Sequence, residues 1–81
     1  MKAEPTKKYS PFKILADFQR KGETQELEVI PSALNYAVLF EGKTLTKLSR
    51  RMGIRSWVQE EGSLLKDQVD MIGAAIESHY L

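Results

Sequence analysis

The side chains able to do acid–base or metal chemistry are few and scattered along this chain. The sequence has one histidine, His79, and no cysteine. A zinc site needs three or four ligands, and no second ligand lies one helical turn from His79. As a general base His79 would need a carboxylate to orient its ring, and on a helix Glu77 lies on the opposite side. We interpret His79 as a helix C-terminal residue favoured by the helix dipole.

Carboxylate pairs are the second group that could do chemistry. Asp67 and Asp70 lie three residues apart, but both fall on the solvated face of a predicted helix. Two carboxylates act as acid and base only where a cleft drives their pKa values apart. The sequence also has no phosphate-binding glycine loop and no nucleophile accompanied by a base. We therefore expect no enzyme activity, no metal and no cofactor.

A run of basic residues is the strongest indication of a ligand. Between Gly42 and Val58 the chain has no acidic residue. The five basic residues in this interval are Lys43, Lys47, Arg50, Arg51 and Arg55. Basic residues beside the rings of Tyr36, Phe40 and Trp57 are typical of single-stranded nucleic acid binding, in which Lys and Arg bind phosphates and nucleobases stack on the rings. However, Tyr36 and Phe40 share a strand face with Val38, so packing under a helix explains them without a ligand.

The stretch Leu45–Ile54 also resembles the first helix and turn of a helix-turn-helix, with Gly53 at the turn. The second helix of such a motif should bury apolar residues about six and nine positions after that glycine. Those positions hold Gln59 and Gly62, and the two glutamates between them would face phosphates that repel them. We therefore favour a strand followed by a basic connection.

Length and composition limit the chain to one small domain. It has 81 residues, of which 42% are hydrophobic and 28% charged, and a formal net charge of +1. A chain of this size buries roughly 60 to 65% of its unfolded surface, so self-association would add stability. A net charge near zero gives no global attraction to polyanions. The lack of cysteine and of an apolar N-terminal segment predicts a cytoplasmic protein with no signal peptide and no membrane anchor.

The clearest predicted element is a helix over Ser63–Leu81 with Ser63 as its N-cap. At 100° per residue one face carries the apolar residues Leu65, Val69, Ile72, Ile76 and Tyr80. The opposite face is polar and includes Glu77. A glycine within a helix costs about 1 kcal/mol, so Gly73 is expected to let helix and sheet approach closely. Trp57 is expected to anchor the core where helix and sheet meet.

Alternating apolar residues predict strands before this helix. The predicted strands are Phe12–Phe18, Gln25–Pro31, Tyr36–Phe40, Thr44–Ser49 and Ser56–Glu60. A tight turn at Glu41-Gly42 or Gly42-Lys43 would place Leu45 on the face of Val38. Leu48 then has the opposite parity, so we expect a bulge near Lys47 or the end of the strand there.

Together these patterns predict an α+β fold, an antiparallel four- to five-stranded β-meander with one C-terminal α-helix packed on one face. Residues 1–10 are expected to be a disordered basic tail, and residues 11–81 one domain. The expected function is a non-catalytic binding or protein-interaction module. Its expected partner is another protein or a second copy, bound through a sheet edge or through the face carrying Ala37 and Leu39. The alternative is nucleic-acid binding through residues 43–55.

Overall fold

The computed structural model describes residues 10–50 and 57–80. These residues form five strands and one helix in the order β1 (Phe12–Ala16), β2 (Gln25–Pro31), β3 (Tyr36–Phe40), β4 (Lys43–Arg50), β5 (Trp57–Glu61) and α1 (Lys66–His79). The strands make one antiparallel sheet in sequence order, with β3 at its centre. The predicted α+β meander is confirmed, with five strands. Apart from Ser10, the predicted tail lies outside the described residues.

Alternate residues of the strands face α1 and form the core. The buried apolar side chains are Ile14, Ala16, Phe18, Leu27, Val29, Val38, Leu48, Val69, Ile72 and Ile76. Fully burying a large aliphatic or aromatic side chain contributes about 1.5 to 3 kcal/mol. The backbone of α1 comes closest to β1 and β5, the two edge strands, which indicates a sheet that curls around the helix.

The turn between β3 and β4 is centred on Glu41-Gly42, the first of the two predicted residue pairs. Glu41 and Gly42 have φ angles of 53° and 83°, as a type I′ hairpin turn requires. A bulge follows immediately, because Val38 pairs with Thr46 and Leu39 pairs with Thr44, so that Leu45 has no partner.

This bulge corrects one prediction, because it is Thr46, not Leu45, that pairs with Val38 and faces the core. A second shift of register, in the pairing of β4 with β5, lies between Lys47 and Leu48, where a bulge was predicted. Thr46 is only 1% exposed, and its hydroxyl group donates to the side-chain oxygen of Gln59 at 2.7 Å. Residues 45–50 are strand, so the helix-turn-helix alternative is wrong for this part of the chain.

The helix begins later than predicted. Leu65 occupies the N-cap position, and its N–H donates to Oε1 of Gln68 at 2.8 Å. The predicted cap at Ser63 is wrong because the side chain of Gln59 bonds both the N–H and the carbonyl of Leu64, each at 3.0 Å. These two hydrogen bonds tie Leu64 to β5 and keep it out of the helix.

The ends of the predicted apolar stripe are exposed. Leu65 and Tyr80 are 62% and 49% exposed, whereas the residues buried on α1 are Val69, Ile72, Gly73 and Ile76. The stripe therefore buries the middle of the helix and leaves an aromatic residue accessible at its C-terminal end. Within the described residues, α1 is the one helix, and it is not long and apolar enough to cross a membrane.

The face of the sheet turned away from α1, called here the outer face, carries a mixture of apolar and charged residues. Leu15 is 65% exposed and Ile30 37% exposed on this face. Two ion pairs cross it, Lys13 with Glu26 at 3.9 Å and Lys47 with Glu61 at 3.7 Å. Ala37 and Leu39 lie on this face, as predicted, and are half-buried.

Candidate binding cleft at the C-terminal end of the helix

Trp57, the one tryptophan of the chain, opens β5 and packs against Gly73 of α1. The indole occupies the space that a Cβ atom on residue 73 would need. The predicted close approach at Gly73 and the predicted place of Trp57 at the junction of helix and sheet are both confirmed. The position of the indole is also fixed by a hydrogen bond, since its Nε1–H donates to Oε2 of Glu77 at 2.9 Å.

Glu77 joins this tryptophan to a basic side chain. The same Oε2 atom lies 2.5 Å from Nη1 of Arg50, and both side chains are 41% exposed. The guanidinium carbon of Arg50 lies 5.8 Å from the centre of the Trp57 ring, within the range of a cation–π contact. The prediction that Glu77 lies on the solvated face is wrong. It follows Ile76 at the border of the buried face, where an indole N–H and a guanidinium both attract it.

Three more rings continue this arrangement around the end of α1. Tyr36 of β3 lies 5.5 Å from Trp57 and 6.4 Å from Tyr80, measured between ring centres. Tyr80 in turn contacts the edge of Phe12 at 5.4 Å. Offset and edge-to-face contacts of this kind contribute about 0.5 to 1.5 kcal/mol each beyond the buried area.

These side chains surround an open cleft of about 290 Å³, which we call the aromatic cleft. It is lined by Tyr36, Arg50, Trp57, Ile76, Glu77 and Tyr80. Ile76 is buried at 1% exposure and forms the apolar floor, whereas the rings and the ion pair form the walls. The cleft therefore combines apolar surface, aromatic edges and one salt bridge.

The phenol of Tyr80 responds to this environment. Burial raises the pKa of Tyr80 above its ordinary value of 10.0, and the neighbouring phenol of Tyr36 raises it further. Both causes disfavour the charged phenolate of Tyr80.

The basic residues of the sequence prediction do not share one surface. Arg50 lines the aromatic cleft, Lys47 lies on the outer face paired with Glu61, and Lys43 is exposed at the opposite end of β4. Arg50 lies seven residue steps along β4 from Lys43, a distance of roughly 23 Å. Arg51 and Arg55 lie outside the described residues. The continuous basic ribbon is therefore absent from the described part of β4.

The other candidate side chains have structural partners. The ring of His79 stacks on Phe12 with 3.6 Å between centres and 2° between planes. Asp67 forms an ion pair with Arg20, and Asp70 pairs with Lys66 one turn earlier at 3.1 Å. Within residues 10–50 and 57–80, no group of three or more metal-ligating side chains could hold an ion.

The sequence interpretation missed this cleft because it assigned Tyr36 and Tyr80 to the core. The available signal was the position of the two tyrosines, each at the end of an apolar stripe. Comparison of the chain with family models, curated proteins and solved structures finds no match. Function therefore has to be inferred from the chemistry of the aromatic cleft.

Proposed function

We propose that this protein is a small non-catalytic binding module that holds a partner protein in the aromatic cleft. The observation that carries the proposal is the gathering of Tyr36, Trp57, Tyr80 and Arg50 around one open space. Trp, Tyr and Arg are the residues that dominate binding hot spots. Rings that are already held by their neighbours bury a large area at a low cost in conformational entropy.

The groups in the cleft favour binding over catalysis. The Oε2 atom of Glu77 already accepts from the indole N–H of Trp57 and pairs with the guanidinium of Arg50, so both partners compete with any substrate for it. A general base must instead be able to take a proton from a substrate. The pKa of Tyr80 is raised, which disfavours its phenolate and makes it a poor base near neutral pH.

Site-specific crosslinking tests this proposal. A photoreactive phenylalanine analogue is placed at Tyr80, and as a matched control at Lys21, an exposed loop residue far along the chain. We expect one protein from a nuclease-treated lysate to crosslink from position 80 and not from position 21. The purified candidate should then shift the emission of Trp57 and bind at least about 10-fold more weakly to Tyr80→Ala, as loss of a hot-spot ring predicts. Equal crosslinking from both positions would contradict the proposal.

Single-stranded nucleic acid is the second candidate, and the observation that favours it is the guanidinium of Arg50 beside three rings. Oligothymidine titrated at about 50 mM salt, where electrostatic binding is strong, should then quench Trp57. Replacing Arg50 by Ala should lower the slope of log affinity against log salt by about 1. Constant Trp57 emission throughout the titration would exclude this candidate.

A further inference from the structure

We infer that the aromatic cleft takes an aromatic side chain of a partner peptide that stands next to an acidic residue. This inference rests on the proposed function and adds the chemistry of the partner. Two features of the cleft lead to it, the shape of its apolar part and the unused donors of Arg50.

The apolar part of the cleft fits one ring. Its volume of about 290 Å³ is just below the usual range for pockets that hold whole small-molecule ligands, roughly 300 to 1,000 Å³. Tyr36 and Trp57 meet at 67° between ring planes, and a third ring inserted beside them could form further edge-to-face contacts. Beneath them the aliphatic side chain of Ile76 supplies apolar surface.

The charged part of the cleft favours a negative neighbour. A guanidinium has five N–H donors, and among the described residues the one ion-pair partner of Arg50 is Glu77. The Arg50 side chain is 41% exposed, so a carboxylate from a partner can reach the remaining donors. A basic residue would instead be repelled by Arg50 and would compete with Arg50 and Trp57 for Glu77.

The same geometry favours a peptide over a nucleic acid strand. Binding a single strand requires a positively charged groove that follows successive phosphates. In the described chain Arg50 is the one basic residue that lines the cleft, while Lys47 is paired on the outer face. One guanidinium already paired with a glutamate can hold one further anionic group, which matches a single acidic side chain.

Selection of phage-displayed random peptides on the immobilised protein tests the inference. We expect enriched peptides to share an aromatic residue with Asp or Glu within two positions. A synthetic copy should change Trp57 emission on binding, and its dissociation constant should rise at least about 10-fold when the peptide's Asp is replaced by Asn, because a hydrogen bond to a charged group is lost. Lys21→Ala, an exposed loop change, is the control that should leave binding unchanged.

A double-mutant cycle tests whether the acidic side chain of the peptide pairs with Arg50. If the two groups pair, Arg50→Ala combined with the peptide Asp→Asn change should weaken binding no more than either change alone. Circular dichroism checks that Arg50→Ala is folded, and the peptide-side change needs no such check. Additive losses would show that the acid binds elsewhere and would overturn the inference.

The possible outcomes separate this inference from the proposed function. Peptides rich in Lys or Arg that lose binding in Tyr80→Ala would overturn the inference and support a protein-binding cleft. If none of the enriched peptides depends on Tyr80 for binding, both the inference and the proposed function are contradicted. Quenching of Trp57 by oligothymidine alone would also contradict both, in favour of single-stranded nucleic acid.

Discussion

The two ends of α1 contact the sheet in different ways. At the N-terminal end Nε2 of Gln68 donates to the carbonyl of Phe18 at 2.6 Å, and its Oε1 accepts from the N–H of Leu65 at 2.8 Å. Asp67 adds an ion pair with Arg20 in the loop after β1. The side-chain amide of Gln68 therefore satisfies an N–H at the helix start, which would otherwise lack a partner, and a backbone carbonyl of the loop after β1.

At the C-terminal end the contacts are made by rings and by one carboxylate. Tyr80 is 49% exposed although it touches Phe12, and the Arg50–Glu77 pair is also partly open to solvent. Neither arrangement is needed to satisfy a buried backbone group. The comparison teaches that polar contacts at one end fix the helix, while the other end presents exposed aromatic surface beyond what helix docking requires.

The largest expected effect comes from breaking the docking of both ends at once. Ile72 lies between them and is fully buried. Ile72→Asp should cost about 2 to 4 kcal/mol, because it buries a charge, and most of the stability of so small a domain is of that order. Asp70→Ala, on the solvated side, should be near neutral. Thermal unfolding followed by circular dichroism compares the two, and equal melting with the parent would mean that α1 is not docked.

Gly73→Ala should break the C-terminal end selectively. In a helix this substitution normally gains about 1 kcal/mol, but here the added Cβ overlaps the indole of Trp57. We expect a net loss of about 1 to 3 kcal/mol, as overpacking produces, together with a red shift of tryptophan emission. The control Ala74→Gly, at an exposed position, should lose about 1 kcal/mol and leave the emission unchanged. A stabilised Gly73→Ala variant would show that Trp57 does not occupy this space.

A smaller pair of changes compares the two ends directly. Gln68→Ala removes the side-chain partners of two backbone groups and should cost about 1 to 3 kcal/mol. Glu77→Gln keeps an acceptor for the Trp57 N–H and loses an ion pair that is 41% exposed on both sides, so we expect at most about 1 kcal/mol. Urea unfolding measures both. A larger loss of stability in Glu77→Gln than in Gln68→Ala would mean that the C-terminal end of α1, not the N-terminal end, is the one fixed by polar contacts.

The parts of the fold predictable from sequence were those with local signals. The bounds of β2 and β3 match the structure because alternation, Pro31 and the Glu41-Gly42 turn mark them within a few residues. The helix start depends on a contact between Gln59 and Leu64, which no local pattern reveals. The bulge at Leu45 likewise depends on how β4 pairs with its neighbours.

The candidate site was less predictable for a related reason. Helical periodicity shows which residues share a face, but not where the sheet beneath that face ends. Tyr80 follows the pattern of Ile72 and Ile76 and yet lies beyond the covered part of the helix. The pairing of Arg50 with Glu77 joins β4 to α1, so only the folded chain shows that these two side chains meet.

The smallest expected effect concerns the pH dependence of the open end. The pKa of Tyr80 is raised in the folded protein, first by burial and then by Tyr36. A raised folded pKa means that the associated stability is fully present below the unfolded value of 10.0 and is lost as pH rises through the folded value. Tyr80→Phe should therefore weaken the alkaline loss of stability, and Tyr36→Phe should lower the pKa of Tyr80 only in part, because burial remains. Phenolate absorbance, taken as the difference between each protein and its Tyr80→Phe counterpart, measures this pKa. Titration of Tyr80 at its ordinary value would mean that the two phenols are solvated separately and that the aromatic cleft is more open than described.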